Sequence, residues 1–525
     1  MPTLIPIGGG YDDTFPGFIE ATLRNLFGDY LYILMLPVAQ AASADSLTIP
    51  DLLAQSQRIE RRRRALEQAC RQSVPDNVEC DVVVPPIWTR EAALHPLALD
   101  YFTDDLAGIY IAGGDQITAM QILADTPFEA ALAEAYRRGV VIGGSSAGLA
   151  VLSRTMIGGY QPGFDGKTAF HAGAVDLWNA PARRGLSFGL DKAILEQHFW
   201  EYGRLPRLLN ALAQPSTPKV AVGVDGFSGA VIRDGRRLES VFGRYGAVIL
   251  DAESLGAAQQ ARFVNGLLSI RAVIVHLLGE GRVDYDIAAR QWTQTPAPPA
   301  GQAWKAAHPA GAGDLWLCSS ASDAPQIGAQ RVDLSALPAD LGVQPTEIGG
   351  LRSLHVHAED TDEIDVAALA PLRAFWLRGG TLILSGAAAA IAGQHYAAAP
   401  HLIDGTNDED NAEVEAALQG ALIEGMLDFA PGLGLIDANI EVRTLDENRL
   451  ARLFALEYEY PVGTLGLSDG AILRLSADGL NVLADSRNSV IRVSMAAAAR
   501  AYGDNGAMAA INARVDVFAP GEQVA

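Results

Sequence analysis

The segment "VVIGGSSAGLAVLS" (140–153) joins an apolar, β-branched run to a helix-like run through Gly144-Ser145-Ser146-Ala147-Gly148. A Gly-x-Ser-x-Gly frame at such a junction has the composition of a nucleophile elbow. Small neighbours permit a strained turn that lifts the central hydroxyl above the sheet, at the start of the following helix. The helix dipole and the backbone N–H of Ala147 would then favour an oxyanion. Glycines also serve ordinary close packing, so Ser146 alone does not decide the chemistry.

A serine hydroxyl needs a base and an orienting acid. Of nine histidines in the chain, His198 in "LEQHFWEYGR" (195–204) follows the elbow within a polar constellation and is the best base. Asp225 closes the apolar run "KVAVGVD" (219–225) and is the candidate acid. Taken singly, His198 also reads as a structural or surface histidine, and Asp225 as a turn former before Gly226. The order Ser, His, acid differs from the Ser, acid, His order of α/β-hydrolases and points away from lipases and esterases.

Outward from this motif, short runs such as "YLYILMLPVA" (30–39), "VECDVVVPPI" (78–87) and "GIYIAGG" (108–114) alternate with longer helical patterns. Such alternation predicts β-α units around a mostly parallel sheet covered on both faces. At 525 residues the chain is too long for one ordinary core, and two domains of about 200 to 280 residues are expected. A Pro/Ala/Gly-rich stretch, "TPAPPAGQAWKAAHPAGAG" (295–313), reads as a linker. The expected organisation is therefore a domain at 1–293, a linker at 294–313 and a domain at 314–525.

The formal charge of −23 disfavours nucleic-acid binding. Three cysteines without metal-ligand spacing are expected to be reduced thiols of a cytoplasmic protein. The N-terminal stretch has no basic region followed by a long apolar segment, so no signal peptide is expected, and no run approaches a membrane span. In the run "RIERRRR" (58–64) the arginines are distributed around a helix. Solvation and pairing with nearby acids is the ordinary meaning, with an anionic partner surface as the alternative.

The pattern restarts after the linker. "GIYIAGGDQ" (108–116) corresponds to "SLHVHAEDT" (353–361), and "RRGVVIGGSSAG" (137–148) to "LRGGTLILSGAA" (377–388). "EQHFWEYGRLPRLL" (196–209) lies over "EVRTLDENRLARLF" (441–454), matching Glu196 with Glu441, Arg204 with Arg449 and Arg207 with Arg452 in what reads as a helical segment. The common order and spacing predict an internal duplication. In the second copy Gly386 replaces Ser146, Arg443 replaces His198, Thr361 replaces Gln116, and Asp225 falls near Ser468 or Asp469. Gly and Arg cannot act as nucleophile and base, so a pseudoenzyme domain is expected there. His355 and His357 share a strand face, but without a further ligand at metal spacing they read as structural.

The elements "IGGGYDD", "GIYIAGGDQ", "GGSSAGLAVLS", "EQHFWEYGRLPRLL" and "VAVGVDG", in this order across about the first 290 residues, resemble the cyanophycinase family of serine peptidases, which includes the aspartyl dipeptidases called peptidase E. The resemblance implies two tandem class I glutamine-amidotransferase-like α/β domains, with Ser146 as nucleophile and His198 as base. It also implies an oxyanion contact from Gly114 opposite Ala147, and substrate contacts from Gln116, Gln197, Arg204 and Arg207; a carboxylate such as Glu196 could receive a substrate guanidinium. The implied reaction releases β-aspartyl-arginine dipeptides from cyanophycin, a polyaspartate bearing arginine on its side chains, with no metal or other cofactor.

The sequence departs from the family at three places. It has Glu196-Gln197-His198 where Asp-Gln-His is usual, Tyr202 at an arginine position, and Asp225-Gly226 in place of Asp-Glu. Asp225 therefore takes over the acid's role or the triad is weakened, while Glu201 is read as a solvated helix charge. A dipeptidase or isopeptidase acting on another aspartyl peptide is the enzymatic alternative, and a non-catalytic polymer-binding scaffold is the alternative of another class. Family members commonly pair, so the halves are expected to form an intramolecular pseudo-dimer, with further self-association open.

Overall fold

The structure, a computed structural model, describes residues 1–524 except 12, 47, 254–260, 294–303, 305, 325–329, 334–352, 359–360, 362–365, 367–368 and 401–420. Most of the expected linker thus lies outside the described residues. Its described part packs on the second half, where Trp304 Nε1 donates to the Asp437 carbonyl at 2.8 Å and Ala306 is buried.

Five strands of the first half run parallel in the order Thr3–Ile7, Val141–Ser145, Leu106–Ile111, Tyr30–Leu36, Glu79–Val83. Leu4, Ile33, Ile109, Tyr110 and Ile142 are buried along them, as two-sided covering by helices requires. The helix Pro127–Arg138 that feeds the elbow strand is capped at both ends. Thr126 Oγ1 accepts from the Glu129 N–H, and Gly139 closes the helix at φ 101°.

Beyond Thr3–Ile7 the sheet turns antiparallel through Ser228–Arg233, Arg237–Gly243, Gly281–Asp286 and Gln291–Trp292. The turn joining the first two of these uses Asp234 and Gly235 at φ 53° and 60°, a backbone region that Asp and Gly enter at least cost. A mostly parallel architecture therefore describes the elbow side of this sheet and not the whole.

In the second half a six-stranded sheet runs Gln330–Asp333, Ser353–Ala358, Thr381–Gly386, Leu315–Cys318, Ile472–Ser476, Gly479–Val482. Its first three pairings are parallel and its last two antiparallel, the sequence of directions found from Tyr30–Leu36 to Arg237–Gly243 in the first half. In the first sheet Gly108 pairs with Val141, and in this one Ser353 pairs with Thr381.

The halves meet in a third sheet. From one edge it runs Ala193–Glu196, Val220–Val224, Ala247–Asp251, Leu267–Leu278, then Met508–Phe518, Val490–Ser494, Thr464–Leu467, Asn439–Val442. The outermost pair at each edge is parallel and the other pairings are antiparallel. At its centre Leu267–Leu278 pairs with Met508–Phe518, and Arg262–Val264 and Ala499–Tyr502 pair alongside these two, so each half adds five strands to a sheet that neither completes alone. One core follows from this, with Phe199, Trp200 and Leu208 packed in the same cluster as Leu450, Phe454 and Val515.

Cys70 and Cys80 are joined by a disulfide across 6.2 Å between Cα atoms, fastening the end of helix Ile49–Ser73 to strand Glu79–Val83. The expectation of three free thiols is thereby corrected to one, buried Cys318. A disulfide of this kind forms in oxidising surroundings and is uncommon in a reducing cytoplasm. Among the described residues no helix is long and apolar enough to cross a membrane.

Candidate active site

Ser146 directly follows the strand Val141–Ser145 and precedes the short helix Ala147–Ala150, at φ 54° and ψ −116°. Two contacts impose that turn. A Cβ on Gly144 would lie 2.2 Å from the Gly148 carbonyl oxygen, and one on Gly148 the same distance from that of Ile111. The frame is glycine because strand and helix touch backbone to backbone there. The Ser146 N–H donates to the Ile7 carbonyl at 2.9 Å, which ties the elbow to the N-terminal strand.

His198 reaches the same point from the third sheet. It sits two residues beyond the strand Ala193–Glu196 at φ 45°, and its N–H donates to the Gly8 carbonyl at 3.1 Å. Gly9 leaves room for the imidazole, since a Cβ there would be 2.3 Å from Cε1. His198 Nε2 lies 2.9 Å from Ser146 Oγ, and Nδ1 lies 2.5 Å from Glu201 Oε2. Ser146, His198 and Glu201 stand in one line of hydrogen bonds.

The carboxylate in that line is Glu201; Asp225, the expected acid, makes no hydrogen bond with His198 among the described residues. Asp225 Oδ1 instead accepts the backbone N–H groups of Trp200, Glu201 and Gly226 at 3.1, 3.2 and 3.0 Å. It holds the loop that presents Glu201. Burial first, and the nearby Glu201 charge second, push the Asp225 carboxyl up to about 7, against the pull of those N–H donors.

The cause lies in local structure. Residues 196–209 are not one helical segment but a strand end, a loop and a helix that begins at Leu205. Gly203, at φ 58°, and Pro206 in the first turn both mark that late start. In a loop, Glu201 folds back on His198 instead of facing solvent, and it is buried. The Gly and Pro were the signal available in the sequence.

Ser146, His198 and Gly114 line one cavity of about 340 Å³, together with Gly9, Tyr11, Arg58 and Arg62. Ala147 opens its helix, so no carbonyl of a preceding turn receives its N–H. The expected substrate contacts divide. Glu196 and Arg207 satisfy each other in a buried bidentate pair at 2.7 and 2.8 Å, which fastens strand to helix and removes both from the list of groups open to substrate. Gln116 Nε2 is spent on the Ile157 and Gly158 carbonyls at 3.1 and 2.9 Å.

Arg204 differs from these. Its guanidinium stands 5.1 Å over the Tyr202 ring, its Nε meets no acceptor among the described residues, and burial with neighbouring Arg207 brings its pKa down to about 10. Gln197 is buried with its Oε1 likewise unmet among the described residues. In the second half His355 Nε2 and His357 Nδ1 both lie against Ser385 Oγ, at 2.8 and 3.0 Å, as a buried polar knot.

Residues 92–168, which include Gly114 and Ser146, match the model of Peptidase family S51. The chain is 28% identical over 182 residues to a cyanophycinase of Geminocystis herdmanii (strain PCC 6308), covering 34% of this chain and 62% of that protein. It is 34% identical over 179 residues to a cyanophycinase of Synechococcus elongatus, covering 33% of this chain and 51% of that protein. The chain thus spans between half and two thirds of the length of these curated relatives. Among solved structures, a peptidase from an acI-B1 Actinobacterium aligns over 47% of this chain and 90% of its own, at 21% identity and a TM-score of 0.34. The N-terminal part of the chain is thus similar to cyanophycinase-like peptidases of family S51.

Proposed function

We propose that the first half is a serine peptidase of cyanophycinase type, cleaving an aspartyl peptide through Ser146, His198 and Glu201. The observation that carries this reading is the line of hydrogen bonds from Ser146 Oγ through His198 to Glu201, opening on a cavity. Ser146 Oγ attacks the scissile carbonyl while His198 Nε2 takes its proton, and Glu201 orients the ring and offsets the imidazolium charge. The Ala147 and Gly114 N–H groups receive the oxyanion. Collapse expels the amine with the proton from His198, and water then hydrolyses the acyl-enzyme by the same steps in reverse.

The substrate proposed is cyanophycin or a related aspartyl-arginine peptide, with Arg204 as a receiver of carboxylate. A smaller aspartyl dipeptide is favoured by one feature: the Tyr202 ring stacks 4.8 Å from that of His198, where the family carries an arginine. In the second half Gly386 and Arg443 supply neither nucleophile nor base, and we assign it a supporting role without hydrolysis.

The test is incubation of the protein and its Ser146→Ala variant with cyanophycin and a panel of α- and β-aspartyl dipeptides, with products read by mass spectrometry. Release of β-aspartyl-arginine by the unaltered protein, and a loss of on the order of a thousandfold or more in the variant with its circular dichroism unchanged, is expected. Equal turnover by the two proteins would reject Ser146 as nucleophile. Cleavage of dipeptides alone would shift the substrate to the smaller class.

A further inference from the structure

The arginine-rich run at 58–64 lies within the helix Ile49–Ser73, and its charges meet two different fates. Arg63 and Arg64 pair with Glu60, and Arg63 and Arg71 pair with Glu67 along the helix. Arg58 and Arg62, one turn apart and therefore on one face, have no carboxylate partner among the described residues. They line the cavity that holds Ser146 and His198.

Arg62 is fixed there by two contacts. Its Nη1 donates to the Gly113 carbonyl at 3.3 Å, and its Cζ stands 4.2 Å over the Tyr11 ring. Arg58 is exposed at the same wall. A chain of net charge −23 thus sets beside Ser146 two cations without acidic partners among the described residues. Arg204 is not among the residues of this wall, so the two cationic groups are separate.

We propose that Arg58 and Arg62 form a carboxylate-binding subsite that receives a free carboxylate of the peptide whose scissile carbonyl lies at Ser146. The proposal rests on the hydrolytic reading of the site. A guanidinium held by an aromatic face and a carbonyl loses little freedom when it donates to a carboxylate, and its fork matches two oxygens. The exposed Arg58 adds a field that draws an anionic peptide toward a protein otherwise repelling it. An aspartyl residue carries a carboxylate only a short aliphatic link from its peptide carbonyl, so carbonyl and anion fit one small cavity together. A neutral peptide has nothing to place there.

The test is calorimetric titration of the Ser146→Ala protein, with and without Arg58→Ala and Arg62→Ala together, using the β-aspartyl-arginine dipeptide and its bis-carboxamide. The bis-carboxamide keeps the guanidinium and loses both negative charges. The double substitution is expected to weaken the dipeptide by roughly ten- to a hundredfold and to leave the bis-carboxamide unchanged. Unchanged dipeptide affinity, an equal loss for both ligands, or no dipeptide binding by either protein would overturn the subsite. Dipeptide binding that depends on the two arginines, in a protein whose Ser146 form hydrolyses nothing, would overturn the hydrolytic reading and leave the subsite standing.

Discussion

The two halves hold the same turns with different chemistry in them. Ser146 and Gly386 occupy one backbone shape, at φ 54°, ψ −116° and φ 62°, ψ −140°, and each begins a four-residue helix. His198 and Arg443 both take positive φ, 45° and 56°. Around them the groups diverge. Where Asp225 gathers three backbone N–H groups, Ser468 Oγ shares a hydroxyl contact with Thr444 at 2.9 Å. Where Glu196 and Arg207 form a tight fork, Glu441 is approached by Arg449 at 3.3 Å and Arg452 at 3.8 Å. The shape of an elbow is set by strand, helix and glycine packing, and it persists without a nucleophile to serve.

The sharpest way to break this contrast is through Glu201. Glu201→Gln keeps the side-chain shape and removes the charge facing His198 Nδ1, so kcat should fall by about a hundred- to ten-thousandfold. Steady-state kinetics on an aspartyl dipeptide would measure it. A variant with undiminished kcat would return the acid role to another carboxylate.

Next in size is a residue contributed by the second half. Asn448 Nδ2 donates to the carbonyls of Trp200 and Glu201 at 3.0 and 2.9 Å, clamping the loop that carries Glu201. Asn448→Ala should lower kcat by roughly tenfold with KM little changed, the worth of a lost buried polar contact. An effect confined to KM, or none at all, would separate the second half from the chemistry.

Asp225→Asn should change kcat less than Glu201→Gln does, because the amide oxygen still accepts from the loop. Its signature is in stability. The folded carboxyl holds its proton up to about pH 7, whereas an unfolded one releases it near 4. Between those values the native state binds more protons, so stability falls as pH rises, at up to about 1.4 kcal/mol per pH unit. Urea unfolding across this window should show the slope in the unaltered protein and a flatter one in Asp225→Asn.

The smallest expected gain is none. In Gly386→Ser a new Cβ would stand 2.2 Å from the Ala358 carbonyl oxygen, so the second elbow has closed over the space a serine needs. Placed in the Ser146→Ala background, it should restore no hydrolysis and should cost about 1 to 3 kcal/mol of stability, read by thermal melting. Recovered turnover would show the second site to be one substitution from function.

Much of the first site was legible because its parts are local. Ser146 is announced by a five-residue frame, and His198 stands out among few histidines. Glu201 was hidden because its role depends on whether 197–204 is loop or helix, a choice made by Gly203 and Pro206 together with packing against Asn448. Asp225 misled for a related reason: a carboxylate at a strand end suits a triad and a loop anchor equally. The parallel strands were plain from their apolar runs. Antiparallel pairing across the halves was not, because nothing local in Leu267–Leu278 names Met508–Phe518 as its neighbour. The Cys70–Cys80 bond depends on a helix end meeting a strand, which residue spacing does not reveal.

The sheet shared across Leu267–Leu278 and Met508–Phe518 has a genetic consequence as well as a mechanical one. In a symmetric pair of identical chains every substitution is made twice, so a change harmless in one subunit and fatal in the other is never available. A chain that supplies both sides of its own seam escapes that rule. Each side of the seam is free to change alone, as where Asn448 of one half holds the carbonyls of Trp200 and Glu201 in the other, while the ratio of the two sides stays fixed by the peptide bond.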